Sequence, residues 1–425
     1  MKAPLFIARR MSLGRGQGRD TSTGIIIAVT GIALAMTVMM LSVAVIKGFK
    51  NEIRAKVTGF ESQLTLTATS EDAGGDADND MTTEAEPIEL TPELRKIISS
   101  VVSGAEMTPT IIRPGVLKTP GSFAGIVLKA YEGGLSLRFI ADHVTQGTMP
   151  DFAADSTSND IVISRLTADR LGLAPGDKAD AYFFAQDAMK ARRLRIAAVY
   201  DTHFDDYDGT YAFASPAMLR RLDRMGAAQA TRIDINGLTS DGAIEPAARS
   251  LQTSLLDAYY NGRVTQVYRV DNVHRRGALY FNWLALLDTN VIVILALMGA
   301  VAGFTLISSL FIIILDRVRM IGILKALGAT NAMIRHTFII VAERIVVRGL
   351  IIGNLLGLGL IALQAMTHFI PLDAETYYLS YVPVEISWTD VALLNLGVIV
   401  AAALVLILPS HIVATISPSR SIRFD

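Results

Sequence analysis

The chain has 425 residues, of which 51% are hydrophobic and 19% are charged. Its mean hydropathy of +0.40 is too high for an ordinary soluble protein of this size, whereas the charged fraction is too high for a chain buried wholly in lipid. The formal net charge of −1 gives no basic field for nucleic acid, and the absence of cysteine excludes disulfides, thiolate metal sites and cysteine nucleophiles. These numbers predict a membrane protein with a sizeable water-exposed domain.

The amino-terminal part of the chain predicts a cytoplasmic segment followed by a first membrane span. Residues 1–23 form the segment and are rich in Lys and Arg. Residues 24–46 are an apolar run of about 23 residues, which is long enough to cross a hydrocarbon core of about 30 Å. We predict a transmembrane helix and not a signal peptide, because no small-residue cleavage site follows the run.

Three methionines lie close together on this first span, and they are Met36, Met39 and Met40. Flexible thioether side chains fill irregular apolar space, so this surface is a candidate path for an acyl chain. The alternative is that the same side chains face lipid or a neighbouring helix.

Residues 47–283 have the hydropathy of a water-exposed domain. Strand-like and helix-like segments interleave along them, which predicts an α/β or α+β domain. Residues 70–87 are acidic and almost free of large apolar side chains, so we predict a flexible loop there. The predicted strands lie near residues 63–69, 111–117, 125–131, 161–164, 179–184, 195–200 and 231–235. The predicted helices begin at Pro92 and cover residues 165–171, 215–224 and 242–258.

The segment HFDDYD, residues 203–208, gathers one histidine and three acids. A metal or acid–base site is one interpretation, but no histidine pair has zinc-ligand spacing, and a solvated loop is favoured. The chain has neither a G-x-x-x-x-G-K-[ST] phosphate loop nor a G-x-S-x-G elbow. We therefore expect no catalytic residue, metal or cofactor on this chain, which would not itself hydrolyse ATP.

Three further apolar runs predict three more membrane spans. They cover residues 290–315, 345–366 and 391–413, and they are joined by segments at 316–344 and 367–390 and followed by a tail at 414–425. An aromatic belt of Tyr280, Phe281 and Trp283 precedes the first of them. Small residues that let helices approach closely recur every fourth position in two of the spans. These predicted packing residues are Gly299, Gly303, Gly349, Gly353 and Gly357.

The segment at 316–344 is both basic and apolar. Its sequence DRVRMIGILKALGAT has apolar side chains at mostly helical spacing, and a glycine stands where a helix would end. We predict a short amphipathic helix on the membrane surface, which either docks a soluble partner or only marks the edge of the bilayer. The residues of this predicted docking helix are Arg319, Ile321, Gly322, Ile323, Leu324, Lys325, Ala326, Leu327, Gly328 and Ala329.

The distribution of basic residues predicts the topology. Lys and Arg side chains lie near the amino terminus, in the segment 316–348 and near the carboxyl terminus, whereas residues 367–390 contain none. Since short loops rich in Lys and Arg stay in the cytoplasm, both termini and the docking helix are predicted there. The large domain and the 367–390 loop are then outside the membrane, and four spans agree with this arrangement.

These residues resemble a known family. The sequence RVRMIGILKALGATNAMIRHTFIIVAERI, residues 317–345, is similar to the signature of the FtsX/MacB-type ABC-transporter permeases. The start of the chain and its end, ISPSRSIRFD, resemble more narrowly the permeases of the lipoprotein-releasing (Lol) system. The family often has an acid just before the Ile-Gly of its coupling helix, where this chain has Met320.

The resemblance implies a bacterial inner-membrane protein of four transmembrane helices, with a periplasmic MacB-like α+β domain of two subdomains inserted between helices 1 and 2. It implies a separate cytoplasmic ABC ATPase of the LolD/MacB type, which binds ATP and magnesium and docks on the coupling helix Ile321–Ala329. It further implies a second permease copy or paralogue, a lipoprotein cargo and a periplasmic carrier. ATP-driven motion below the membrane would move the domain above it.

Three functions stay open at this point. The first is a permease subunit for lipoprotein release, which the two ends of the chain favour. The second is a MacB-like exporter of peptides or toxic compounds. The third is an FtsX-like subunit that transports nothing and activates cell-wall hydrolases outside the membrane.

Overall fold

The structure is a computed structural model that describes residues 19–69, 86–152, 158–184 and 189–406. The chain divides into two compact units. The helical unit takes the residues up to Asn51, Trp283–Pro371 and those from Tyr381 onwards, and the sheet unit takes Glu52–Asn282 and Leu372–Ser380. Most of the predicted acidic loop at 70–87 and all of the tail at 414–425 lie outside the described residues.

Helices and strands alternate between the two long apolar helices α1 and α9, and only helices follow α9 in the described residues. The helices are α1 Arg19–Phe60, α2 Pro92–Val101, α3 Leu135–Asp142, α4 Arg165–Leu171, α5 Asp205–Asp208, α6 Pro216–Asp223, α7 Ile244–Tyr260, α8 Val273–Arg276, α9 Ala278–Asp316, α10 Val318–Ala326, α11 Asn331–Thr367, α12 Ala374–Tyr377 and α13 Trp388–Val405. The strands are β1 Leu64–Thr69, β2 Ile88–Glu89, β3 Glu106–Lys118, β4 Phe123–Tyr131, β5 Val144–Gly147, β6 Asp160–Ser164, β7 Lys178–Phe184, β8 Met189–Tyr200, β9 Tyr211–Ala214, β10 Gln229–Ala230, β11 Arg232–Asn236 and β12 Val267–Asn272.

Within the described residues, four helices are long and apolar enough to cross a membrane, and they are α1, α9, α11 and α13. The predicted apolar runs fall on these helices, but the helices α1, α9 and α11 are much longer than the runs. Helix α1 continues without a break through the polar sequence GFKNEIRAKVTGF. Much of the apolar surface of α9 and α13 is exposed, as expected where the surroundings are hydrocarbon.

Helices α1 and α11 pack closely because α11 presents glycine at every fourth residue. A Cβ atom added at Gly353 would lie 2.7 Å from Met36 Cβ and 2.8 Å from the carbonyl oxygen of Ala33. An added Cβ at Gly349 would meet Ile32, and one at Gly357 would meet Met40. The backbones therefore approach to a distance that a side chain would prevent.

The two glycines of the pair on α9 differ in their surroundings. A Cβ added at Gly303 would lie 3.1 Å from Val405 Cγ2 on α13, which is a tight contact. A Cβ added at Gly299 would meet no described atom within 4 Å. Gly303 therefore packs tightly against α13, whereas the role of Gly299 in the approach of a partner helix stays a prediction.

Several polar side chains in the helical unit are paired with one another or with the backbone. Asn354 on α11 and Asn395 on α13 exchange two hydrogen bonds of 2.8 and 3.0 Å. Thr37 Oγ1 on α1 donates to the carbonyl oxygen of Gly353 at 3.2 Å. An unpaired polar group in hydrocarbon costs several kcal/mol, so these bonds hold specific helix pairs together.

The sheet unit contains a ten-stranded sheet. At one end the strands lie in the order β12-β1-β11-β3, all antiparallel. Helix α2 joins β1 to β3, and α7 joins β11 to β12, which is the connectivity of the ferredoxin-like split βαβ motif. At the other end β7 pairs with both β3 and β8, so that β3, β4, β9, β6, β8 and β7 form a closed circuit of strands.

Several local predictions are confirmed by this fold. Thr91 caps α2 and accepts a hydrogen bond from the Leu94 amide at 3.2 Å. Helix α4 ends at Gly172, whose φ of +63° is the left-handed conformation that glycine adopts without strain. Strands β7 and β8 pair antiparallel, but through residues 189–195 of β8 and not through the predicted strand near 195–200, which pairs with β6.

Other elements were missed or misjudged. Helix α3 and strands β5, β9 and β12 were not predicted, because they are short or carry mixed polar and apolar residues. Strand β12, Val267–Asn272, lies shortly before the aromatic residues Tyr280, Phe281 and Trp283 that were interpreted as an interfacial belt. Sequence patterns of four to eight residues hold too little periodicity to separate a strand from a loop.

The packing of α1 against α11 predicts that Gly353→Ala destabilises the helical unit. The added methyl group would overlap backbone atoms of α1, and overpacking of this kind costs about 1–3 kcal/mol. Thermal unfolding of the full chain in detergent should show a lowered midpoint. Gly359→Ala on the same helix is the matched control, because a Cβ there meets no described atom within 4 Å. Equal midpoints for the two variants would contradict the packing account.

Candidate functional site

Helix α10 lies between the second and third apolar helices and follows the end of α9 after a single residue, Arg317. It begins three residues before the predicted start at Ile321 and ends before Gly328. Gly328 has a φ of +94°, which favours glycine, and its amide donates to the carbonyl oxygen of Lys325 at 3.0 Å. Gly328 and Ala329 therefore belong to the turn after the helix and not to the helix itself.

The predicted docking residues divide between two faces of α10. Ile321 is fully buried and Gly322 is also buried, and Ile321 belongs to the apolar core of the helical unit. Ile323 is 51% exposed and Leu327 is 80% exposed. Residues four apart share a helix face, so these exposed side chains lie together. The exposed face consists of Arg319, Ile323, Ala326 and Leu327.

Leu324 and Lys325 lie between these two faces and are partly buried. The structure thus separates residues that attach α10 to the bundle from residues that are open to a partner. Sequence spacing alone identified the helix but could not assign its faces, because apolar residues occur on both.

The three methionines of the first span are buried, with exposures of 0% for Met36, 4% for Met39 and 0% for Met40. Met36 and Met40 pack against the glycines of α11. The expectation that they line an acyl-chain path is therefore not supported, whereas the alternative of a neighbouring helix is. They act as a packing surface because their flexible side chains fill the space that the glycines leave.

An open apolar groove lies beside this packing surface. Its volume is about 890 Å³, and α1 and α11 form its walls. The described lining is Ile25, Ile26, Val29, Thr30, Gly31, Ala33, Leu34, Thr37, Arg348, Ile351, Ile352, Leu356 and Leu360. Arg348 is the charged residue among them, so the groove is suited to an apolar occupant.

The segment HFDDYD is not a metal site in the described residues, where no group of three metal-ligating side chains is found. Asp208 is buried and accepts hydrogen bonds from the Thr202 amide at 3.0 Å and from Thr202 Oγ1 at 2.7 Å. Burial raises the pKa of Asp208 to about 6, although the hydrogen bonds from Thr202 oppose this shift. The favoured solvated loop was also wrong, because residues 205–208 form helix α5 and its last residue is buried.

Asp206 in the same segment binds two tyrosines that sequence reasoning did not connect with it. Tyr280 Oη donates to Asp206 Oδ2 at 2.6 Å, and Tyr378 Oη donates to the same oxygen at 3.2 Å. Both rings pack edge-on against Phe204. Tyr280 was interpreted as part of a membrane-interface belt, but here it belongs to an aromatic cluster of the sheet unit.

The comparisons with known proteins agree with this architecture. Residues 292–418 match the family model described as FtsX-like permease C-terminal, a range that contains α10 and α11. The resemblance seen in the sequence is thereby supported: the carboxyl-terminal part of the chain is similar to FtsX-like permeases, and the curated relatives below are permeases of the lipoprotein-releasing system. Subunits of this family are permeases and not enzymes in themselves. The long apolar helices and the match to this permease family together support a bacterial inner-membrane protein.

The individual proteins that are similar to this chain include permeases of the lipoprotein-releasing system. The chain is 21% identical over 438 residues to the lipoprotein-releasing system transmembrane protein LolC of Xylella fastidiosa, with 99% of each chain covered. It is 26% identical over 184 residues to LolE of Haemophilus influenzae, covering 41% of this chain and 42% of that one. The crystal structure of the periplasmic region of MacB from Actinobacillus actinomycetemcomitans matches with 13% identity and a TM-score of 0.34, covering 53% of this chain and 96% of that one.

The buried carboxyl group of Asp208 predicts a pH-dependent stability. Its pKa is raised from 3.8 to about 6, so the folded state binds more protons than the unfolded state between these values. Stability should therefore fall as pH rises through this window, by about 3 kcal/mol for a shift of this size. Asp208→Asn removes the titration and keeps an acceptor oxygen for the Thr202 amide.

The measurement is thermal unfolding of the full chain and of Asp208→Asn in detergent at pH 4.5 and pH 7. The midpoint of the original chain relative to the variant should be higher at pH 4.5 than at pH 7. A difference between the two proteins that stays constant with pH would show that Asp208 has an ordinary pKa.

Proposed function

We propose that this chain is the transmembrane permease subunit of an ABC transporter that releases lipoproteins from the bacterial inner membrane. The observation that carries the proposal is similarity to a LolC protein over 99% of both chains. A shared domain alone would leave the external region unexplained, whereas this similarity includes it. Release of a lipid-anchored cargo also fits an apolar helical unit joined to a large folded domain.

The proposed topology has four spans, with both termini and α10 in the cytoplasm and the sheet unit in the periplasm. It is supported by basic residues at the α10 end of the helices and by their absence from residues 367–390. We further propose that the ferredoxin-like sheet and the six-strand circuit are the two subdomains of the MacB-like domain. Their different strand connectivity supports this division.

The proposed energy source is a separate cytoplasmic ABC ATPase of the LolD/MacB type, which would bind ATP and magnesium. Its docking surface would be the exposed face of α10, where Ile323 and Leu327 offer apolar area beside the charge of Arg319. The buried Ile321 fixes the same helix to the bundle core, so that force on α10 reaches the spans. An apolar centre with a charged rim is typical of a specific protein interface.

The other proposed partners are a second permease copy or paralogue, a lipoprotein cargo and a periplasmic carrier. Exposed apolar faces on α9 and α13 leave room for a neighbouring membrane helix, and Gly299 is an open small-residue position there.

The test of the proposed function is depletion of this protein in its own bacterium. Lipoproteins destined for the outer membrane should accumulate in the inner membrane, as measured by membrane fractionation and blotting. Correct sorting in depleted cells would overturn the proposal. Loss of peptide or drug export with normal sorting would instead support the MacB-like alternative, and loss of cell-wall hydrolase activation would support the FtsX-like one.

The exposed face of α10 predicts that Ile323→Asp uncouples the permease from its ATPase. A carboxylate carried into an apolar docking groove must lose its hydration, so ATPase affinity should fall at least about 10-fold. Copurification of the ATPase and its stimulation by the permease in detergent are the measurements. Leu324→Asp should act in the same direction but less strongly, because Leu324 is partly buried.

Ala332→Asp is the matched control for this substitution. Ala332 is exposed in the first turn of α11, where a negative charge suits the helix dipole. This variant should bind and stimulate the ATPase normally. Equal behaviour of Ile323→Asp and Ala332→Asp would show that the exposed face of α10 is not the docking surface.

A further inference from the structure

A buried carboxylate stands at the end of α1. Glu61 follows the last helical residue and is only 4% exposed. Its Oε1 accepts from Lys129 Nζ at 2.7 Å and from Tyr211 Oη at 2.9 Å. Its Oε2 accepts from Arg276 at 2.6 Å and lies 3.4 Å from Arg232. We call these five residues the Glu61 cluster.

The cluster joins separate parts of the sheet unit. Lys129, Tyr211 and Arg232 stand on strands β4, β9 and β11, respectively. Arg276 is the last residue of α8, and only Gly277 separates it from the first residue of α9. Glu61 therefore connects the end of one long apolar helix, the start of the next, and three strands of the sheet.

The same side chains also bind the backbone at the end of α1. Lys129 Nζ donates to the carbonyl oxygen of Phe60 at 3.0 Å, and Arg276 donates to the carbonyl oxygen of Ser62 at 2.8 Å. The last carbonyl groups of a helix have no partner within the helix and carry partial negative charge. Cations at this position satisfy those groups and fix the end of α1.

The charges of the cluster hold one another in place. Burial by itself would raise the pKa of Glu61, but Lys129, Arg276 and Arg232 outweigh it and hold the pKa well below its usual value. Burial lowers the pKa of Lys129 to about 8 against the opposing charge of Glu61, so the pair remains ionised at neutral pH. Lys129 also lies 3.6 Å from the ring centre of Tyr211. Removing one partner would leave buried charges uncompensated.

We propose that Glu61 is a positioning residue that locks the last turn of α1 and the first turn of α9 to the strands of the sheet unit. In the transport cycle this lock would pass motion of the spans into the domain. That consequence depends on the proposed function, whereas the lock itself depends only on the contacts of the cluster.

Different cations of the Glu61 cluster make the connections to the two helices, which a cluster that only stabilised the fold would not need. Arg276 supplies the connection toward α9, whereas Lys129 and Arg232 hold the α1 end to the strands. Loss of Arg276 should therefore loosen the start of α9, which then keeps only contacts such as the Tyr280–Asp206 hydrogen bond, and leave the end of α1 in place. Loss of Glu61 should free both.

The experiment measures distances between spin labels in the full chain, assembled with its ATPase in lipid nanodiscs. The chain has no cysteine, so introduced cysteines are labelled without background. Labels at Ala55→Cys on α1 and Leu279→Cys on α9 are each paired with a label at Tyr260→Cys, which is an 81% exposed site on α7. Both distance distributions should be narrow in the otherwise unchanged chain.

Arg276→Gln should broaden the distribution from residue 279 and leave the one from residue 55 narrow. Glu61→Gln should broaden both. Arg276→Lys should restore a narrow distribution, because it keeps the charge. The neighbouring variant Arg275→Gln is the matched control: its side chain is 59% exposed, and it should change neither distribution.

Measurements of ATP hydrolysis and lipoprotein release test the lock and the proposed function separately. With a broken lock, ATP hydrolysis should continue while lipoprotein release falls at least 10-fold. Narrow distributions in Arg276→Gln would overturn the lock, whether or not Glu61→Gln folds. If the unchanged complex has narrow distributions but releases no lipoprotein, the proposed function fails and the lock stands.

Discussion

The structure depends on the close approach of helices α1 and α11. Gly353 allows the α11 backbone to contact Met36 and the Ala33 carbonyl oxygen, and no larger residue fits there. In hydrocarbon there is no hydrophobic force between helices, so such van der Waals contact must provide the association. The hydrogen bond from Thr37 to the Gly353 carbonyl oxygen lies at the same contact. It depends on the orientation of its two groups and so favours one arrangement of the two helices. Helix α1 is thereby fixed to α11, although Thr37 and Gly353 are 316 residues apart in the sequence.

A second constraint acts along the polar part of α1. Ion pairs join residues that are distant in sequence, such as Lys47 with Asp390 at 2.7 Å and Lys50 with Asp288 at 2.6 Å. These pairs are partly exposed, and each contributes little alone. The Glu61 cluster differs from them because it is buried and shares one carboxylate among several elements. Its position at the end of α1 explains why we propose that it fixes this helix end to the strands.

The resemblance to the permease family and the division into apolar helices and a water-exposed domain could be predicted, because both depend on sequence patterns that extend over many residues. Apolar runs of more than 20 residues, basic residues at one side and the sequence around Ile321 are each statistically strong signals. The strands β5 and β12 could not be predicted with equal success, because a short strand takes its stability from its neighbours in the sheet. The prediction for Met36 left two alternatives, since a sequence does not show which helix lies opposite.

Three properties could be read from the residues alone: which segments suit hydrocarbon, where the chain carries positive charge, and that α10 is a short amphipathic helix. These properties are local, because each follows from the residues of one continuous segment. Only the tertiary structure decided that Ile321 is buried while Ile323 and Leu327 are exposed, and that Glu61 meets Arg276 and Lys129. The physical reason is that burial and ion pairing belong to the contact between distant segments, and the sheet topology that creates those contacts is not encoded in any one of them.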